Sequence, residues 1–172
     1  GKGIEIIDKL SKLLPDIKFH LYGDKKTLNY NNNYKFNPNI IFFKYEDYKN
    51  IHQILGKYTI ALMPYQNKIE ARSQNLEISK YISPLKMFDY LSAGNIIIAS
   101  KLQAYNHILK NNSNSFLLSN KNINLWRNLI KKIFKSPQSY NMIKINAINT
   151  AKKYSWDNRA KKYLEFIKEY IK

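Results

Sequence analysis

Short apolar runs alternate with longer amphipathic segments along most of the chain. The runs are typical of buried strands and lie at 17–22, 40–43, 59–63, 96–99 and 115–118. The amphipathic segments predict helices at 4–14, 47–57, 83–93, 123–134, 138–154 and 156–171, with a short one near 105–109. Strands that alternate with helices predict a single α/β domain, a Rossmann-like, doubly wound parallel sheet with helices on both faces.

The chain begins with a helix rather than a strand. In a doubly wound sheet the first strand lies near the middle. We therefore expect that strand, and whatever precedes it, to be missing from these 172 residues. The opening Gly1-Lys2-Gly3, which lacks Met, agrees with a fragment.

The formal net charge of +17 suggests a nucleic-acid-binding protein, but the types of residue that make up the charge weaken this interpretation. The chain has 26 Lys and only 3 Arg, and Lys, Ile, Asn and Tyr together make up half of its residues. All four amino acids are read by codons rich in A and T, so genome composition explains much of the charge. Proteins that read bases favour Arg. The charge therefore favours anionic partners in general and no specific nucleic acid.

Several kinds of site are excluded by what the sequence lacks. Without cysteine there is no disulfide, thiolate metal site or cysteine nucleophile, which fits a reducing, cytoplasmic compartment. His20, His52 and His107 do not have metal-ligand spacing, and five glycines leave no Gly-rich phosphate loop. No apolar run approaches the roughly 20 residues of a membrane span.

Ser83–Gly94 carries the most chemical information. Ser83 is a good N-cap, Pro84 suits a first helical turn, and Gly94 supplies the left-handed residue that ends a helix. The buried stripe is predicted to be Leu85, Phe88, Leu91 and Ser92. Lys86 and the free amides of the first turn would attract a phosphate, and Asp89 can accept from a sugar hydroxyl. Spacing alone favours an ordinary capped helix with a surface ion pair.

This segment and the following Asn95–Ser100 resemble the pattern S-P-L-K-x-F-E-Y-x-A-x-G-x-P-I-I-A-S of GT-B glycosyltransferases of family 4 (group 1). Four other pieces agree in order with that family's C-terminal domain: Lys2-Gly3, Phe19–Gly23, Ala61–Tyr65 and Tyr154–Trp156. Five pieces in order are far more specific than any one. The resemblance implies one nucleotide-sugar-binding domain over residues 1–172, with the N-terminal acceptor domain absent.

The resemblance also implies which residues bind the donor. They are Lys2, Ser83, Leu85, Lys86 and Asp89. Lys2 would neutralise the donor diphosphate, and amides of the first turn would meet it. Asp89 falls on the second Glu of the family's E-x7-E pattern, which holds the ribose. The first Glu falls on Tyr81, which is not a carboxylate, so how the transferred sugar is held stays open.

The implied reaction transfers a sugar from a UDP- or GDP-linked donor to the hydroxyl of a sugar or lipid-linked acceptor, with retention at the anomeric carbon. Two lysines and a helix N-terminus can meet the developing diphosphate charge, so no metal or other cofactor is expected. The loop at 43–45 is expected to select the base. We expect this chain to bind donor weakly without turnover, and its parent to serve bacterial surface polysaccharide or glycolipid synthesis.

Other interpretations stay open. The charge and 14 Tyr would suit a non-catalytic module for nucleic acid or an acidic polymer, although no basic run exceeds two residues. Tyr81 would suit an inactive relative. In the last helix, Trp156 begins an apolar stripe and is predicted to be a core anchor. The lysines off that stripe predict a solvated face, with peripheral contact to anionic lipid at the inner membrane face as the second interpretation. They are Lys161, Lys162, Lys168 and Lys172.

Overall fold

The computed structural model describes residues 3–25, 34–66 and 85–171. The helices are α1 (Ile4–Leu13), α2 (Tyr48–Leu55), α3 (Leu85–Ser92), α4 (Ile123–Lys135), α5 (Asn141–Lys153) and α6 (Trp156–Tyr170). The strands are β1 (Phe19–Tyr22), β2 (Ile40–Phe43), β3 (Ile60–Met63), β4 (Ile96–Ser100) and β5 (Phe116–Leu118). The sequence pattern predicted these elements to within a few residues, with two exceptions. The short helix near 105–109 is a 3₁₀ turn at Gln103–Tyr105, and the first residues of the helix predicted at 138–154 form a 3₁₀ turn at Pro137–Tyr140.

All strand pairs among the described residues are parallel. β1 pairs with β2, and β3, β4 and β5 form a second sheet in that order, with β4 in the middle. Every residue of β4 is buried. A central parallel strand is covered on both faces, and this explains why Ile96–Ser100 reads as one continuous apolar run rather than an alternating one.

Helices cover both faces of the sheet formed by β3, β4 and β5, as predicted. On one face α1 packs against α4, and their side chains meet Ile96 and Ile98 of β4. On the other face α3 packs against α5, and their side chains meet Ile97 and Ala99 of the same strand. Alternate residues of one strand therefore supply two separate cores. The fold is an α/β fold with parallel strands and helices on both sides.

Asparagine side-chain amides connect elements of this fold, as Asn39, Asn95 and Asn114 show. Asn39 Nδ2 donates to three backbone carbonyls in and after α1, at 2.9–3.1 Å. Asn95 Nδ2 donates to Leu55 O and Tyr58 O, which joins the end of α2 to the start of β4. Asn114 Nδ2 donates to Ile108 O and to Thr150 Oγ1 of α5. These carbonyls at helix ends and loops would otherwise need other partners. Part of the high Asn content is therefore structural.

The predicted role of Trp156 as a core anchor is wrong. Its side chain is 80% exposed, and no residue of α6 is buried. The Arg159 guanidinium instead lies 5.4 Å from the Trp156 ring and 5.7 Å from the Tyr163 ring. The physical reason is that no element among the described residues packs over the apolar side of α6.

Candidate functional site

The chain after β3 lies where two helices begin. In open parallel sheets, ligands bind at the carboxyl ends of the strands. Pro64 and Tyr65 directly follow β3, and the first turns of α1 and α3 both approach them, through contacts made by Gly3 and Lys86. The start of α1 and a side chain from the first turn of α3 therefore meet at one strand end.

Gly3 brings α1 against this strand end. It precedes the helix with φ +80°, and a Cβ built on it would lie 1.7 Å from the carbonyl oxygen of Pro64. Only glycine fits such a close backbone approach in this left-handed conformation. The Gly3 carbonyl accepts from the amides of Ile6 and Ile7 at 3.1 and 3.2 Å. Lys2, the predicted diphosphate ligand, lies outside the described residues.

Lys86 lies in the first turn of α3, as predicted, and its ammonium lies over an aromatic ring. Its Nζ is 4.6 Å from the ring centroid of Tyr65, which is a cation–π distance. The Tyr65 side chain is only 7% exposed, and burial raises its pKa. Its backbone is fixed on both sides, because its amide donates to Met63 O and its carbonyl accepts from Asn120 Nδ2.

The buried side of α3 differs from the predicted stripe. Met87 and Leu91, four residues apart, are fully buried against β4 and α5. Leu85 is 78% exposed and Ser92 is exposed, so the prediction that they face the core is wrong. With Met87 and Leu91 pointing inward, the first turn of α3 presents Leu85 to solvent. Ser83, the predicted N-cap, lies outside the described residues.

Asp89 accepts a hydrogen bond from another helix. The Tyr48 hydroxyl, in the first turn of α2, donates to Asp89 Oδ1 at 3.1 Å. The negative charge of Asp89 raises the pKa of Tyr48. Lys86 and Asp89, three residues apart, thus each contact a tyrosine from a different part of the chain. α3 presents a cation and then a carboxylate along one side.

Gly94 ends α3 as predicted. Its φ is +68°, its amide donates to Leu91 O, and the amide of Asn95 donates to Tyr90 O, both at 3.1 Å. These bonds satisfy carbonyls of the last turn in the manner of a Schellman cap. A Cβ on Gly94 would approach the Ile148 side chain to 3.0 Å, so α5 also favours glycine here.

The loop after β2, predicted to select the base, holds an exposed aromatic ring. Tyr45 packs beside Gly23, which follows β1, with ring atoms 3.7–3.8 Å from where a Cβ on that glycine would be. The other side of the ring is open to solvent. Tyr45 therefore lies at the carboxyl ends of β1 and β2.

His20 and His52 make their hydrogen-bonding contacts away from this strand end. His20 Nδ1 is 2.7 Å from the Tyr58 hydroxyl, and burial is the main cause that raises the pKa of Tyr58 to about 12. His52 Nε2 is 3.5 Å from Ser92 O. Within residues 3–25, 34–66 and 85–171, no three His, Asp or Glu side chains are grouped to hold a metal. No helix in those same ranges is long and apolar enough to cross a membrane.

Comparison with known proteins identifies the family. Residues 2–150 match the family model described as glycosyl transferases group 1. The chain belongs to the group 1 glycosyltransferases. No curated protein sequence matches it.

Solved structures agree with this family at the level of the fold. The domain is similar to a glycosyltransferase from Rickettsia africae ESF-5, with a TM-score of 0.74 and 22% identity over 99% of this chain and 45% of that one. It is also similar to HepE from Anabaena in complex with UDP, with a TM-score of 0.73 and 14% identity over 98% of this chain and 45% of that one. A further similar structure is sucrose-phosphate synthase from Thermosynechococcus elongatus, with a TM-score of 0.72 and 13% identity over 99% of this chain and 42% of that one. The group 1 chain thus spans less than half the length of these relatives. Together they bear out the C-terminal half of a GT-B fold.

Three residues of this glycosyltransferase domain were missed by sequence reasoning. Tyr65 and Tyr48 meet Lys86 and Asp89 across separations of 21 and 41 residues, and a linear pattern does not show such contacts. Gly3 and Tyr65 were noted only as parts of motifs. A signal did exist for Tyr65, because it directly follows a predicted strand, where ligands of parallel sheets bind.

Proposed function

We propose that the end of β3 and the first half of α3 bind a nucleotide-diphospho-sugar. The observation that carries this proposal is the order of charges along α3. The Lys86 ammonium lies beside the strand end, and the Asp89 carboxylate follows one turn later. A cation near the start of a helix suits a diphosphate, and a carboxylate suits the ribose hydroxyls.

The proposed donor set extends the described residues by resemblance. Lys2 directly precedes Gly3 in the sequence and supplies a second cation for the diphosphate, and Ser83 belongs to the same donor set by resemblance. The amides of Leu85 and Lys86 donate to the phosphate oxygens. The structures of HepE in complex with UDP, and with UDP and glucose, support a uridine nucleotide as the first donor to test.

The chemical work assigned to these residues is stabilisation of charge. As the glycosidic bond breaks, negative charge grows on the leaving diphosphate. Lysines and oriented amides that are already in place meet this charge without reorganisation, and the set needs no metal. The parent enzyme thereby transfers the sugar to an acceptor hydroxyl, with retention at the anomeric carbon.

The acceptor site belongs, in this proposal, to an N-terminal domain outside these 172 residues. We therefore expect the chain alone to bind donor weakly and not to turn over. The acceptor is a sugar or a lipid-linked sugar of a bacterial surface polysaccharide or glycolipid, and the reaction takes place in the cytoplasm. Detectable sugar transfer by this chain alone would contradict the placement of the acceptor site.

Thermal unfolding with and without ligand tests the donor site. A ligand that binds only the folded state raises the midpoint by mass action. We expect UDP or GDP, or its sugar conjugate, to raise the midpoint of the wild type and to have no effect on Asp89→Ala. Asp16→Ala is the matched control, because this exposed carboxylate lies before β1, at the amino end of that strand, whereas the proposed site lies at a carboxyl end.

Two results would count against the proposal. A cooperative melt that no nucleotide shifts would favour an inactive relative. Binding of unrelated polyanions that collapses with added salt, without nucleotide selectivity, would favour the polyanion-binding alternative.

A further inference from the structure

Tyr65 forms a rigid surface under the Lys86 ammonium. Its ring is almost wholly enclosed in the core shared by α3, β4 and α5, so it cannot turn without opening that core. Its backbone is held by Met63 and by Asn120. A lysine side chain has four flexible carbon–carbon bonds, whereas this ring has one position. The contact between them therefore restricts the lysine.

The strand end beneath this ring is equally constrained. Pro64 lies so close to Gly3 that a Cβ built on this glycine would be 1.7 Å from the Pro64 carbonyl oxygen. The ring thus has a fixed place relative to the starts of α1 and α3. A cation held on the ring has a fixed place relative to both sets of helix amides.

An aromatic ring differs from a carboxylate as a support for a cation. A carboxylate would hold the ammonium with a full negative charge, and that charge would repel an incoming phosphate. The π-face attracts the ammonium through its quadrupole and adds no net charge. A ring contact can therefore orient Lys86 without itself neutralising the ammonium charge.

We infer that Tyr65 is a positioning residue, whose ring places the Lys86 ammonium where the donor diphosphate binds. The inference rests on the proposed function and adds to it a residue outside the implied donor set. It predicts that Tyr65 affects the affinity for a nucleoside diphosphate but leaves the affinity for the nucleoside unchanged.

The contact can be measured without ligand. A proton above an aromatic ring resonates upfield, so the Lys86 Hε signals of the 172-residue chain should be shifted upfield in NMR spectra. We expect Tyr65→Phe to keep this shift, since phenylalanine retains the π-face, and Tyr65→Leu to abolish it. Both are made in the same isotope-labelled chain.

UDP and uridine titrations of the same variants test the consequence. We expect UDP affinity to stay near wild type in Tyr65→Phe and to fall about threefold to tenfold in Tyr65→Leu, with uridine unchanged in both. In a Lys86→Met background, Tyr65→Leu should have no further effect on UDP. A purely structural role would instead lower both affinities and add to the lysine change.

The outcomes separate the inference from the proposed function. Wild-type UDP affinity in Tyr65→Leu, with the upfield shift lost, would overturn the inference and leave the donor site standing. No response of the wild type to any nucleotide would overturn the proposed function, and with it the role of Tyr65, even where the upfield shift is intact. If Tyr65→Leu does not fold, pentafluorophenylalanine at position 65 keeps the ring shape and reverses its quadrupole. This variant should weaken the binding of UDP but not that of uridine, and unchanged UDP binding would again overturn the inference.

Discussion

Two helices near the end of the chain, α4 and α6, have similar lengths and similar amphipathic patterns, yet only α4 is packed. Trp126 of α4 is fully buried, and its Nε1 donates to Ser119 O at 3.0 Å. Trp156 of α6 is 80% exposed. Ile130 and Ile133 of α4 are buried, whereas the apolar side chains of α6 are largely open to solvent.

The comparison shows that a sequence pattern predicts a helix, whereas tertiary packing determines whether that helix is buried. Periodicity predicts a helix and its apolar side. It does not predict the surface that covers that side. α4 meets α1 and the sheet, while the described part of the chain provides no such surface for α6. Helices of this length are marginal alone in water, so α6 depends on its cap and its own side chains.

The largest expected contrast is between the two tryptophans. Trp126→Ala should lower the free energy of unfolding by about 3–5 kcal/mol, because it removes a buried side chain and leaves a cavity. Trp156→Ala should change it by less than about 0.5 kcal/mol, as for other exposed positions. Urea denaturation of both variants checks this, and equal losses would show that α6 is packed after all.

A second contrast compares two glycines. Gly3→Ala should cost at least about 1–3 kcal/mol, because alanine is strained at a positive φ and its Cβ would overlap Pro64 O. Gly56→Ala is the matched control, since Gly56 has ordinary φ and its Cβ would make contacts of 3.5–3.6 Å. Unfolding midpoints in urea report both. A harmless Gly3→Ala would mean that α1 does not abut β3 as described.

Alkaline pH sharpens the contrast between buried and exposed tyrosines. Burial raises the pKa of Tyr90 in α3 to about 12. The unfolded chain loses this proton near pH 10, so the stabilising contribution is present below pH 10 and is lost between pH 10 and 12. Tyr90→Phe should flatten the pH dependence of the unfolding free energy by about 1–3 kcal/mol across that range.

The control for this pH series is Tyr163→Phe on the exposed face of α6. It should leave the wild-type curve unchanged. An unchanged curve for Tyr90→Phe as well would argue that the Tyr90 hydroxyl is not enclosed by α3 and its neighbours.

The smallest expected effect concerns the start of α6. Ser155 Oγ accepts from the amide of Asn158 at 3.3 Å. Ser155→Ala should reduce helicity measured by circular dichroism, because an N-cap is lost. The urea midpoint should barely change, since α6 contributes little to the core. A clear fall in that midpoint would show that α6 is coupled to the rest of the fold.

Local features of the fold were predictable where a single segment of the sequence determines them. The apolar run of β4 needs both faces covered, and Gly94 ends α3 through its own backbone. The direction in which α3 faces was not predictable, because Met87 and Leu85 are both apolar and only β4 and α5 decide between them. Trp156 was misjudged for the same reason.

In the candidate site too, residues within one segment were predictable and contacts between segments were not. Lys86 and Asp89 were predicted from one helical segment and a resemblance. Their contacts with Tyr65 and Tyr48 depend on how β3 and α2 are placed against α3. Such contacts arise from tertiary packing, which a single sequence does not display.

Residue-resolved NMR during titration with UDP and GDP tests the account's central claim, a donor site at the end of β3. We predict that one nucleotide shifts the backbone amides at the start of α1, at Tyr65 and from Leu85 to Asp89, and that Asp89→Ala abolishes the response. Shifts spread over the lysine-rich surface and removed by salt, or no shift at millimolar nucleotide, would contradict it.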